Sequence, residues 1–252
     1  MSEETEDERW ERLSRDRIHR PLPKRFYKSV AVTDQFGIAL DGRNIKTPLK
    51  APLVLPNRAL AEAVAAEWDA QVDVINPHAM PLTKLANTAI DRATMEKSKI
   101  AAEILEFAGS DMVCYRAESP AGLVLRQTTH WDPIIAWARA DLRAAFATVS
   151  TITHKRQPPA ALQALEASIV ALDPFSFVVV HNLTTLTGSA LLATMLAVAK
   201  IPTDAAWRAA NVDEDWQIET WGEDAEATAR RTGRLEEFSA SVKFVNLARS
   251  RP

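Results

Sequence analysis

The stretch from Arg25 to Pro56, RFYKSVAVTDQFGIALDGRNIKTPLKAPLVLP, decides the fold class, because its pattern differs from everything that follows it. Phe26, Val30 and Val32 lead into a turn at Asp34-Gln35-Phe36-Gly37, and Ile38 and Leu40 resume beyond it. Asp41-Gly42 is a strong hairpin signal, since a two-residue turn needs consecutive positive φ angles. Asn44-Ile45-Lys46-Thr47 stops at Pro48 and Leu53-Val54-Leu55 stops at Pro56, where proline withholds the donor that a ladder requires. The stretch predicts a small antiparallel sheet.

Downstream the period changes to that of a helix. Asn57 is placed to cap a helix running to about Gln71, with Leu60, Val64 and Trp68 on one face. Val72–Pro81, with two prolines, predicts a hinge. Helical spacing then dominates over 82–92, 96–109, 119–128, 132–147, 159–171, 175–200, 203–221 and 223–232. Pro133 and Pro159 suit first helical turns. Near the end, Phe238, Ala240, Val242 and Phe244 alternate, which predicts a returning strand over 237–247. The expected fold is α+β. A charged, flexible arm spans 1–20, a small antiparallel β-sheet/α domain spans 21–80, and a helical bundle spans 81–252.

Composition excludes several function classes. The 252 residues are 47% hydrophobic and 25% charged, with only 7 glycines, which suits a helix-rich globular protein. Net charge is −3 without a basic block, so nucleic acid is a poor partner. The single Cys114 allows no internal disulfide and fits a reducing compartment. The acidic start matches neither a secretory signal nor a mitochondrial presequence, which predicts a bacterial, cytoplasmic protein. Pro174–Ala199 lacks Asp, Glu, Lys and Arg, yet its many Ser, Thr, His and Asn residues point to a buried bundle helix, not to membrane insertion.

Chemistry-bearing patterns are sparse. Gly37 and Gly42 have neither P-loop nor dinucleotide spacing. The histidines His19, His78, His130, His154 and His181 lie far apart in sequence, so no metal or other cofactor is expected. Cys114 sits between Val113 and Tyr115, an apolar setting that raises a thiol's pKa. Asp91 reads as a local cap or ion pair. Thr187-Gly188-Ser189-Ala190 lacks the second glycine of a nucleophile elbow. An enzyme, if there were one, would be a small-molecule hydrolase using His130, Asp132 and Ser189. The positive signal lies elsewhere. Seven tryptophans include several in acidic segments, above all Asp213-Glu214-Asp215-Trp216-Gln217 and Trp221-Gly222-Glu223. Tryptophan offers much contact area for little lost rotamer freedom, so these residues suit a surface that grips another protein.

The ordered markers Arg25-Phe26-Tyr27-Lys28, Leu40-Asp41-Gly42-Arg43, Lys46-Thr47-Pro48, Glu67-Trp68-Asp69-Ala70-Gln71, Met80-Pro81-Leu82-Thr83 and Gln217-Ile218 leading to Trp221-Gly222 resemble the Atp12-type assembly chaperones of the F1 part of ATP synthase. The resemblance implies a small N-terminal α+β domain and a C-terminal orthogonal helical bundle. It also implies a holdase that binds the unassembled F1 α subunit without hydrolysing ATP, until the β subunit replaces it. The family's important acidic position maps to Asp213, in a register that also admits Glu214 and Asp215. Its tryptophan maps to Trp68, followed by Asp69. The expected partner surface is therefore Asp213, Glu214, Asp215, Trp216, Trp221 and Glu223, on a protein that is monomeric when free. A scaffold for some other protein would use the same face.

Overall fold

The structure is a computed structural model that describes residues 22–150 and 155–250; the predicted arm over 1–20 lies outside them. Strands β1 (Val30–Val32), β2 (Ile38–Leu40) and β3 (Arg43–Asn44) form an antiparallel sheet in that order, with Val30 opposite Leu40 and Ala39 opposite Asn44. Asp41 and Gly42 both take positive φ at the β2–β3 turn, as the hairpin signal requires. The Asp41 carboxylate accepts from Lys28 N at 3.0 Å and Ser29 N at 2.9 Å, which holds its pKa below the ordinary value. Leu53-Val54-Leu55 is not a strand. It is held by single bridges, Gly37 with Val54 and Lys46 with Pro52, and by the bonds of Leu53 N to Ile45 O and Leu55 N to Phe36 O, while Val54 N turns back to Pro52 O and proline at 52 and 56 brings no N–H to extend a ladder.

Helices α1 (Arg58–Asp69), α2 (Pro81–Asp91), α3 (Lys97–Gly109), α4 (Ala121–Asp141), α5 (Pro159–Val170), α6 (Pro174–Thr187), α7 (Ala190–Ala197), α8 (Thr203–Ala210), α9 (Val212–Trp221) and α10 (Ala225–Ala248) follow. Four predictions need correction. The two helices expected over 119–128 and 132–147 are one, with Pro133 inside it. Trp131, Ile134, Trp137 and Ala138 all bury, and that shared burial outweighs the bond that proline removes. The single helix expected over 175–200 breaks at Gly188, whose φ of 74° ends α6 before Ser189 caps α7. The helix expected over 203–221 breaks at Asn211. The strand expected over 237–247 is the second half of α10. Its buried residues are Phe238, Ser241, Val242, Phe244 and Val245, and the steps of three and four between them are helical; the apolar alternation was a coincidence.

A continuous core runs from Ile38, Leu53 and Leu55 through α6 to Phe244 and Val245. Phe177, Val178, Val179 and Val180 of α6 are all buried, which is why this stretch carries no charge. No helix among the described residues is long and apolar enough to cross a membrane.

Polar side chains tie the sheet end to the bundle. Asn57 Oδ1 caps α1 at Leu60 N (2.9 Å), while its amide donates to the carbonyls of Leu247, Ala248 and Ser250 at 2.8–3.0 Å. It thereby closes the start of α1 and the end of α10 together. Asn57→Ala is expected to cost roughly 2 kcal/mol, a cap plus buried carbonyls left unpaired, read as a lower midpoint in chemical denaturation. Glu67 supplies the cap that α2 lacks, accepting from Leu82 N and Thr83 N at 2.7 Å each. Burial nonetheless raises its pKa. Arg25 donates to the carbonyls of Asp69 and Gln71, and Tyr27 Oη donates to Trp68 O at 2.6 Å. Asp91 is a tie of the same kind, accepting from the Thr47 hydroxyl and from Leu49 N.

Candidate protein-binding groove

Helix α9 lies against α4 and α10, and the contacts are charged. Asn211 ends α8 and starts α9, which turns Asp213, Glu214 and Asp215 into the first turn, where carboxylates suit the helix dipole. They do not project freely. Asp213 accepts from Gln127 Nε2 at 2.8 Å, Glu214 pairs with Arg234 and lies 3.7 Å from Arg231, and Asp215 pairs with Arg231. Farther along, Glu219 pairs with Arg126 of α4, which lowers the pKa of Glu219 and raises that of Arg126. The acidic triplet thus fastens α9 to its neighbours, a role that spacing alone does not reveal because its arginines come from α10.

Between the C-terminal half of α9, the start of α4 and the 115–120 segment runs an open groove of about 1040 Å³. Trp216, Trp221, Leu123 and Pro120 give it an apolar wall, and Asp213 and Arg116 a polar edge. Trp216 stacks over the Arg126 guanidinium, 5.2 Å from its ring centroid. The same indole lies on Gly122, where an added Cβ would come within 2.7 Å of the ring. Glycine is needed there because a tryptophan occupies the space of a side chain. Trp221 stands free, 77% exposed at the helix end. Arg116 donates through Nε to Val113 O and through Nη1 to Asp132, while its buried Nη2 has no partner in the protein. This edge residue went unnoticed in the sequence, since a lone arginine in a loop carries no pattern.

Three of the six residues expected to face a partner, Asp213, Trp216 and Trp221, line this groove; Glu214 and Asp215 lie in the α9–α10 contact, and Glu223 is exposed just beyond α9. Trp68 and exposed Asp69 belong to the end of α1 and line no part of it. A second apolar surface was also missed. Lys24 bridges to Val74, so Phe26 falls opposite Val72, and both are more than 70% exposed.

Two of the three residues weighed for catalysis, Ser189 and Asp132, make structural contacts. Ser189 is fully buried, and its hydroxyl accepts from Leu192 N at 3.0 Å as the cap of α7. Asp132 pairs with Arg116. No hydrogen bond joins Ser189 to His130 among the described residues. Asp111 is the residue the sequence concealed. Its wholly buried carboxylate accepts from Val113 N, Ala190 N, Leu191 N and the Ser189 hydroxyl, yet desolvation pushes its pKa up to about 6. Burial likewise pushes the Cys114 thiol up to about 12. Cys114 is therefore expected to ignore a thiol-disulfide reagent at pH 8 in the native protein and to react fully in denaturant, read by absorbance of the released thiolate.

The fold with this groove is that of a chaperone of known structure. The chain matches the crystal structure of Atp12 from Paracoccus denitrificans with a TM-score of 0.82 and 38% identity, over 90% of this chain and 99% of that one. A candidate chaperone from Agrobacterium tumefaciens is 43% identical with a TM-score of 0.82, over 92% of this chain and 89% of that one. Residues 24–139 match the family described as ATP12 chaperone protein. The chain belongs to the ATP12 chaperone family.

Proposed function

We propose that this chaperone holds the unassembled F1 α subunit of ATP synthase and does so at the α9–α4 groove, promoting F1 assembly. The supporting observation is an open groove walled by Trp216 and Trp221 in a member of this family. An unassembled subunit exposes apolar interface that aggregates unless covered. Tryptophans cover such surface, and a polar rim of Asp213 and Arg116 gives register without making the complex permanent. The holding reaction uses no nucleotide, and the free protein is a cytoplasmic monomer.

The test is co-purification of F1 α and F1 β with the tagged protein from the same organism. Retention of α without β, lost in Trp221→Ala, supports the reading. Absence of α at every salt concentration overturns it. The triple Asp213/Glu214/Asp215→Ala variant is a poor probe, because it also strips Arg231 and Arg234 of their partners.

A further inference from the structure

Helices α2, α6 and α10 meet around a cavity of about 480 Å³ that shares no lining residue with the α9 groove. Lys84 and Leu85 come from α2, Val178 from α6, and Glu236, Glu237 and Ala240 from α10, where steps of three and four residues keep them on one face. Leu85 and Val178 are buried and give the cavity an apolar floor. Its buried polar groups are spent on one another, since the Asn182 amide donates to the Ser241 hydroxyl at 2.9 Å. His181 is occupied by Glu103 at 3.0 Å. The charges of Lys84, Glu236 and Glu237 are not. All three residues are exposed, and among the described residues their side chains make no ion pair or hydrogen bond. Elsewhere in this protein opposite charges on neighbouring helices close on each other, as Arg231 does on Asp215. Here the cavity lies between them.

A ligand that satisfies both walls carries an ammonium and a carboxylate on one small apolar body. We propose that this cavity binds a zwitterion of the amino-acid class, an apolar amino acid or dipeptide. Its ammonium meets Glu236 and Glu237, its carboxylate meets Lys84, and its side chain lies against Leu85 and Val178. The volume lies within the range of small-molecule sites, and an apolar floor with a few charged groups at its edge is their usual make-up. Because the charged groups stay in contact with water, each end adds a modest increment to affinity and serves mainly to select the ligand. The proposal depends neither on the client nor on the α9 groove.

The test is saturation-transfer NMR from the full-length protein to L-leucine and to L-leucyl-L-alanine, and the tighter of the two reports the span between the charges. Saturable binding is expected. The N-acetyl form of that probe lacks the ammonium and its C-terminal amide lacks the carboxylate, and each is expected to bind about fivefold more weakly. Lys84→Met should abolish the preference for the free carboxylate, and the double variant Glu236→Gln/Glu237→Gln the preference for the free ammonium. These are exposed positions, so the variants keep the fold. Gly233→Leu fills the cavity from its α10 wall, where an added Cβ meets nothing within 4 Å, and is expected to suppress binding. Absence of saturable binding of either probe up to about 50 mM overturns the proposal. Equal binding of the doubly blocked probe, or undiminished binding to Gly233→Leu, overturns it as well. Because no client is present, a negative result here leaves the co-purification reading intact, and failure to retain F1 α leaves this cavity intact.

Discussion

Replacing Asp111 with alanine is expected to destabilise the protein by about 3–5 kcal/mol at pH 5, the largest effect of any single polar substitution described here. The carboxylate is the shared acceptor for Val113 N, Ala190 N, Leu191 N and the Ser189 hydroxyl, so alanine leaves four buried donors without a partner. Ser189 and Asp111 together form the start of α7, and α7 is buried along its whole length. Loss of that start reaches α6, with which α7 packs most extensively. The effect depends on pH in a definite direction. The folded-state pKa of about 6 lies above the ordinary 3.8, so the folded protein binds this proton more tightly than the unfolded chain. The resulting stability is fully present below the unfolded value and is lost as pH rises through about 6. The shift corresponds to roughly 3 kcal/mol. Wild-type stability is therefore expected to fall between about pH 4 and pH 6 through this group, and the gap to Asp111→Ala narrows accordingly. Asp111→Asn, which cannot titrate, should lack that slope. Urea denaturation at several pH values checks both; parallel pH profiles for wild type and Asp111→Asn would contradict the assignment.

Trp221→Ala is expected to weaken client binding by at least about 30-fold, the effect of losing a central aromatic anchor worth 2 kcal/mol or more. It should leave stability within about 0.5 kcal/mol of wild type, because the side chain is exposed and makes no core contact. The pairing of a large binding effect with a negligible folding effect distinguishes an anchor from a structural tryptophan. Trp131 provides the contrast. It is fully buried and its Nε1 donates to Ala209 O at 2.8 Å, so its loss acts through folding. Calorimetric titration of the client, beside thermal unfolding of the same samples, reads both quantities. Unchanged affinity for Trp221→Ala would move the client off this groove. Gly122→Ala offers a second check, since its Cβ meets the Trp216 ring and displaces that wall of the groove while Trp221 is left unchanged.

The family markers divide by the kind of contact they make. Glu67, Gln71, Asp41, Arg25 and Thr47 hold loops and helix starts, whereas Gln217 and Trp221 line the groove. A motif read from sequence joins these two kinds without telling them apart. Asp213 illustrates the difficulty, since it lines the groove and also accepts from Gln127.

The family was legible as a resemblance of ordered markers, and the sequence by itself determined the α+β class, the Asp41-Gly42 hairpin, the cap at Asn57 and the uncharged helical stretch around Phe177. These are short-range properties, set by φ preferences, capping and hydrophobic period. Only the tertiary structure decided the rest. Phe238 to Val245 reads equally well as alternating or helical, and burial against the α6 side of the core settles it as α10. Pro133 should end a helix, and shared burial on either side carries α4 through it. The acidic triplet looked free because Arg231 and Arg234 lie on another helix. Asp111 and Arg116 gain their character from desolvation and from partners far away in the chain, and neither quantity is written in local sequence.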